Sequence, residues 1–485
     1  MRKKIFHITS LLIALLLCSC SNDEYRNVIP SDATAVLSID LASMAEKSDF
    51  AHSSIKKMLD ANKSLVVAGD EQDDVENIFS NPAEMGLDFT SPVYAFWQAD
   101  QHIGVVFKVS DVDDVEDFVD LLHDLNFASR PRERDGVTEC KLFGDILCMY
   151  DDHAFLLYVN GTMSSNDADR KLAVKLMKQG ADESFVNTDA FAKMEADAAD
   201  IAYYASDAIL KDADKASLSP VSQFGLQPKG TGMAGRISFD DGRIVMHNSV
   251  LPLTEAASKE ISEMEKHLRP IEGRYLKMDC SQAPVWACMG VDGKWLVDNV
   301  LKQNKAAKEY LFMLERCVDI EQMLRAVDGD MAVSVNPAAD GAQPSISLLA
   351  HVKDTKFLDD VDYWQQSMKD YGFSMNKLSG DDYQIKLDGG KSLFWGVSDS
   401  DLYISTVGKP DWSGGNIAQD AADARECVVF VLVDWQKFVG TITYTPPLWL
   451  AFIDKVVVKM KSATELTVEV VTADKNENVL KTLMK

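Results

Sequence analysis

Apolar positions along this chain switch between a period of two and a period near 3.6, and the order of the switches repeats. Pro92-Val93-Tyr94-Ala95-Phe96-Trp97, a turn at Ala99-Asp100 and the run Ile103–Val109 read as a β-hairpin ending at Ser110-Asp111. Met331–Val335, a loop from Pro337 to Gln343 and Ile346–Val352 read the same way and end at Lys353-Asp354. In both, the Asp is placed to cap a following helix by accepting a backbone N–H. The helices follow: Val112, Val115, Phe118, Leu122 and Leu125 recur at one helical face, as do Phe357, Val361, Trp364, Met368 and Tyr371. A second β-rich run comes after each helix. The first is Gly136–Leu142, a Gly144-Asp145 turn, Ile146–Tyr150 and Ala154–Val159. The second is Tyr383–Leu387, a Gly389-Gly390 turn, Ser392–Val397 and Leu402–Val407. Short glycine-bearing connections between alternating runs are hairpin signals.

Both halves open with a strand and a helix, Ala35–Asp40 before 42–60 and Val285–Gly290 before 294–316. Both close with a further strand, Ile201–Ser206 and Val428–Val433, and then a hairpin, Met233–Leu251 and Lys455–Val471. The predicted fold class is therefore α+β: two tandem copies of a mostly antiparallel sheet with helices packed on one face. The copies are placed at 28–251 and 276–485, joined by a helical linker at 252–275. The first carries a polar insert near 164–197 and the second an insert at Pro446–Ile453.

The N-terminus reads as an address. Arg2, Lys3 and Lys4 precede the apolar run Ile5–Leu17, the layout of a secretory signal peptide over 1–19. Leu17-Cys18-Ser19-Cys20 resembles the lipobox of bacterial lipoproteins, with small Ser19 ahead of Cys20, whereas bulky Leu17 ahead of Cys18 does not fit. The resemblance makes Cys20 the lipidation site: a diacylglycerol on its sulfur and an acyl chain such as palmitate on its amine anchor the chain to a membrane. Residues 20–27 are then anchor and tether, and Ser21-Asn22-Asp23-Glu24 resembles the signal that sends such lipoproteins to the outer face of the outer membrane. The late apolar stretch Pro446–Ile453 is far shorter than the roughly 20 residues of a membrane-spanning helix.

The lipobox at Cys20, the opening Ile29-Pro30-Ser31-Asp32-Ala33-Thr34-Ala35-Val36 and the doubled strand–helix–hairpin order together resemble a family of Bacteroidota outer-membrane lipoproteins, domain of unknown function 4836. The resemblance implies an address and a fold, and carries no activity with it.

Composition narrows the partners. The chain of 485 residues is 46% apolar and 26% charged, a globular composition long enough for more than one domain. Its 76 acids against 49 bases give a formal charge of −27, which excludes nucleic acid as a partner, since affinity there comes from Lys and Arg. The same balance argues against a basic patch on anionic lipid. Gly230-x-Gly232-x-x-Gly235 has the letters of a dinucleotide fingerprint, but a strand follows it where a helix is needed, so no cofactor is expected. The 8 histidines form no helical pair and no Cys-x-x-Cys occurs, so no metal site is expected. Asp111, Asp113, Asp114, Glu116 and Asp117 read as the acidic start of a helix. No Gly-x-Ser-x-Gly elbow supports a catalytic triad, and no catalytic residue is assigned.

Cys140, Cys148, Cys280, Cys288, Cys317 and Cys427 remain beyond the anchor. A two-residue turn at Gly144-Asp145 would set Cys140 opposite Met149 and leave the two sulfurs offset, so free thiols are expected. Trp97, Trp286, Trp364 and Trp395 read as core, while Pro446, Pro447, Leu448 and Trp449 form the candidate partner surface, with a buried crossover as the other reading. The functional expectation is a non-enzymatic, lipid-anchored binding or scaffold protein, including an accessory subunit beside an outer-membrane protein partner. The alternative is a surface hydrolase acting on glycan or peptide through carboxylates.

Overall fold

The computed structural model describes residues 23–53, 56, 81–162, 164–209, 229–280, 283–302, 318–337, 344–370, 372–415, 417, 421–441 and 450–484. The chain forms two compact units that divide after Ile209.

The first unit is an antiparallel sheet of β1 (Ala35–Ile39), β2 (Val93–Trp97), β3 (Ile103–Lys108), β4 (Arg132–Arg134), β5 (Val137–Leu142), β6 (Ile146–Tyr150), β7 (Ala154–Val159) and β8 (Ile201–Ser206). Pairing runs in the order β4-β5-β6-β7-β3-β2-β1-β8. After β1, Asp40 caps α1 (Leu41–Lys47) by accepting from the Ser43 N–H. After β3, Asp111 caps α2 (Val112–Asp124), and Val115 and Val119 bury its inner stripe against Cys140, Cys148, Tyr150 and Phe155.

The opposite face is covered too. α3 (Asp167–Lys178) lies against β6 and β7, and α4 (Asp189–Met194) against β8. Tyr94 of β2 packs on Tyr25 and on Phe191 of α4. This corrects the expectation of helices on one face only. β6 and β7 are buried at consecutive positions, so both faces need cover, and the polar-looking insert supplies it with Ala173, Leu176, Phe185 and Met194. A second correction concerns the hairpin between β5 and β6. It turns through Phe143–Asp145, with Phe143 and Gly144 at φ 52° and 87°, so Leu142 pairs with Ile146 and Cys140 lies directly opposite Cys148. One extra loop residue shifts the register by one position, which decides which side chains face each other.

The second unit begins with the hairpin β9 (Thr231–Asp240) and β10 (Arg243–Pro252), then α5 (Glu255–Glu265) and the short β11 (Leu268–Arg269). β12 (Val285–Asp292) leads into α6 (Gly293–Leu296), which widens into a π turn at Val297–Leu301. α7 (Ile320–Arg325), β13 (Val327–Asn336), β14 (Ser345–Val352), α8 (Val361–Asp370), β15 (Ser374–Ser379), β16 (Asp382–Lys386), β17 (Ser392–Ser398) and β18 (Asp401–Ser405) follow. The unit ends with β19 (Val429–Asp434), α9 (Trp435–Val439), β20 (Ile453–Met460), β21 (Glu465–Thr472) and α10 (Val479–Leu483). Pairing runs β15-β16-β17-β18-β14-β13-β12-β19-β20-β21-β10-β9, antiparallel throughout.

Two cores sandwich this sheet. On one face α6, α7 and α8 bury Met323, Val361, Trp364 and Met368 against Trp395 and Ile385. On the other, Ile271–Met278 and Ala421–Cys427 cover Trp286, Phe430 and Leu432. Asp330 pins the first of these segments: its buried carboxylate accepts the backbone N–H groups of Glu272, Gly273 and Arg274, each at 2.8 Å.

The boundary read from the sequence is also corrected. The hairpin β9–β10, assigned to a first copy ending at 251, pairs through β10 with β21, and Ile271–Met278, assigned in part to a linker at 252–275, is core of the second unit. Order along the chain records which elements exist; pairing across more than two hundred residues is set by complementary faces.

Candidate functional site

The second sheet alternates cleanly beyond β12, and the alternation makes one face aliphatic. Following partners across the strands, Val335, Val285, Val433, Val456, Val470, Ile244 and Phe239 form one transverse row. Leu348, Val333, Ala287, Val431, Val458, Val468, Met246 and Ile237 form the next. All of these side chains are only half-buried. One end of the face is closed by α5, whose Ile261 and Met264 pack with Ala463 and Val250.

The opposite face of β20, β21 and β10 mixes Val245, Val457 and Val471 with polar side chains that bond one another. Lys459 bridges Glu469 at 2.8 Å and Asp423 at 2.7 Å, and Ser249 donates to Glu465 at 3.0 Å. Along these two rows the sheet presents no side-chain hydrogen-bond donor or acceptor, and Asn248, on the same side in the next row, is buried. What the face offers is area, and apolar area removed from water is worth about 25 cal/mol per Å².

A cavity of about 310 Å³ lies on the other side of β12, β19 and β20, lined by Cys280, Pro284, Trp286, Leu432, Asp434 and Lys455 among others. The Trp286 indole is buried, and its N–H has no partner among the described residues. Burial pushes the Cys280 thiol up to about 12, which makes it a poor nucleophile. In the first unit, buried His102 sits between two carboxylates, with Nε2 2.9 Å from Asp169 Oδ1 and Nδ1 2.7 Å from Asp100 Oδ1. Asp169 also accepts from Asn160 and from the Asn166 backbone N–H, completing a capping box at the start of α3. These groups tie a turn to a helix end.

Cys20 and the candidate partner surface Pro446, Pro447, Leu448 and Trp449 lie outside the described residues, as does Cys317. Of the tryptophans read as core, Trp286, Trp364 and Trp395 are buried and Trp97 is half-buried. Gly232 and Gly235 lie within β9, paired with Leu251 and Asn248. Sequence reasoning found the strands of the aliphatic face singly and missed the face. Its signal was the Val-rich alternation of Lys455–Met460 and Glu465–Thr472, which becomes a surface only once β10 is known to join them.

The family model described as Domain of unknown function (DUF4836) matches residues 25–409, and the chain belongs to that family. No curated protein matches. Among solved structures, "Structure of crystal form IV of TP0453" is 10% identical at a TM-score of 0.29, covering 46% of this chain and 79% of that one. "Structure of crystal form III of TP0453" is 11% identical at a TM-score of 0.28, covering 51% and 89%. Similarity at that level carries no argument about this chain.

Proposed function

We propose that this member of the family of domain of unknown function 4836 is a lipid-anchored, non-enzymatic binding protein of the outer membrane, facing the cell exterior, that holds an acyl-chain-bearing ligand on the aliphatic face of its second unit. The observation that carries the reading is the pair of transverse rows running from β14 or β13 to β9, aliphatic but for Phe239 and half-buried. A peptide or glycan laid there would leave its amides or hydroxyls without partners, whereas a methylene chain needs none. A binding role is further supported by what the buried polar groups do: His102, Asp169 and Asp330 are each spent on holding elements together.

We also infer that the two units are copies of one ancestral sequence. Support comes from the succession β15-β16-β17-β18-β14-β13-β12-β19, which repeats that of β4-β5-β6-β7-β3-β2-β1-β8. Tyr25 and Tyr275, both fully buried, stand equally far ahead of Ala35 and Val285, which open β1 and β12.

The test of the ligand reading is titration of the full mature chain with a fluorescent fatty-acid analogue. Val458→Glu should weaken saturable binding by about tenfold or more, roughly 1.4 kcal/mol, and Arg243→Glu on the opposite face should not, with cooperative melting checked for both. Absence of binding by the unsubstituted chain, or equal binding by both variants, would overturn it. The anchor has its own test. Cys20→Ala should release the protein from the membrane fraction and Cys18→Ala should not; equal retention of both would remove the lipobox assignment.

A further inference from the structure

The corrected register between β5 and β6 places Cys140 and Cys148 on directly opposed positions of neighbouring antiparallel strands. Side chains so placed have Cβ atoms about 4.5–5.5 Å apart, so a small adjustment brings the pair within the range a disulfide requires. Both lie on the face beneath α2, 4% and 0% exposed, among Val115, Val119, Tyr150 and Phe155. In the structure both are free thiols. They are in contact: the Cys148 thiol hydrogen-bonds to Cys140 and holds its pKa below the ordinary value, while burial pushes Cys148 well above it.

The second unit shows what the same sheet position needs. Cys148 pairs with Leu157, which pairs with Val105; likewise Trp395 pairs with Ile404, which pairs with Leu348. Opposite Trp395 stands Tyr383, the rings stacked at 4.5 Å, with Trp364 of α8 edge-on to Trp395 at 5.8 Å. Where one unit fixes its outer hairpin beneath the helix with stacked aromatic rings, the other has two small thiols.

We propose that Cys140 and Cys148 are a modification site, joined in the exported chain as a cross-strand disulfide by exchange with a disulfide-bearing donor of the cell envelope. The covalent link does for β5 and β6 what the ring stack does for β16 and β17. Before burial either thiol can start the exchange with the same balance, and Cys140 is taken first. Its thiol loses a proton and its sulfur attacks the donor S–S bond, releasing one donor thiolate and leaving a mixed disulfide. Cys148, deprotonated in turn, attacks the Cys140 sulfur, forming the Sγ–Sγ bond and expelling the second donor thiolate. Two electrons pass to the donor, whose two sulfurs take up the two protons. Burial of both thiols in the folded unit times this step before α2 closes over the hairpin.

The test uses the full-length protein from native membranes, with free thiols blocked by N-ethylmaleimide at lysis and again after unfolding in guanidinium, and digestion by trypsin without reductant. Cleavage after Lys141 puts the two cysteines on separate peptides. The expected result is a linked pair carrying Cys140 and Cys148 in most molecules, which separates on reduction. Maleimide on both cysteines in most molecules would overturn the proposal.

Discussion

His102 joins the turn between β2 and β3 to the first turn of α3, and its ring stacks on Tyr158 at a centroid distance of 5.1 Å. Burial by itself would lower its pKa, but Asp169 and Asp100 outweigh burial and hold it above the ordinary value. Asp169 moves oppositely: burial would raise it, and His102, the Asn166 N–H and Asn160 hold it below the usual carboxylate range. A raised histidine contributes stability that is complete below its unfolded pKa of about 6.5 and fades as pH rises through the folded value. The lowered Asp169 contributes stability that is complete above about 3.9 and is lost as pH falls through its folded value. The tie is therefore whole between about pH 4 and 6.5. His102→Ala, which removes one of the donors to buried Asp169, should cost about 2–3 kcal/mol at pH 5.5 and less at pH 9, since the contribution of a raised histidine fades as pH rises. Urea melts at the two pH values measure the difference, and an equal cost at both would show that the tie does not depend on the imidazole proton.

At the scale of single elements, local rules carried most of the reading. The apolar stripe of α2 and its Asp111 cap stand as the spacing predicts, with Val119 added to the buried face. The hairpins at β2–β3, β5–β6 and β9–β10 lie where alternation and turn residues put them. What local rules could not give was loop length to one residue. Gly144-Asp145 resembles a two-residue turn, and nothing in the sequence announces that bulky Phe143 takes positive φ and lengthens it. That single residue puts Cys140 and Cys148 directly opposite each other instead of offset. The polar insert at α3 and α4 also misled, because its few buried positions are diluted by Lys and Asp on the outer side, so its average polarity hides a packing face. The aliphatic face was illegible for a different reason: each strand shows half of a pattern whose other half is more than two hundred residues away.

For the whole molecule, the question is which unit owns the hairpin β9–β10. Repeat order along the chain assigns it to the first; pairing of Arg243–Ser249 with Val471–Glu465 assigns it to the second. The difference is energetic. Without that hairpin, β21 would be an edge with unpaired N–H and C=O groups and an aliphatic face at its margin, the arrangement that invites strand addition and aggregation. With it, Val468 and Val470 gain Met246 and Ile244 as cross-strand neighbours. Elements that share a core and a ladder open together, and hydrogen exchange groups them accordingly. His102→Ala supplies a selective perturbation, because its contacts are all within the first unit. In the full-length variant at pH 5.5, amides of β1, β2, β3 and β7 should exchange faster than in the unsubstituted chain, while those of β9 and β10 should keep the protection of β21 and β20. If β9 and β10 instead lose protection together with β1, the division after Ile209 is wrong, and with it the inclusion of Ile237, Phe239, Ile244 and Met246 in a ligand-bearing face of the second unit.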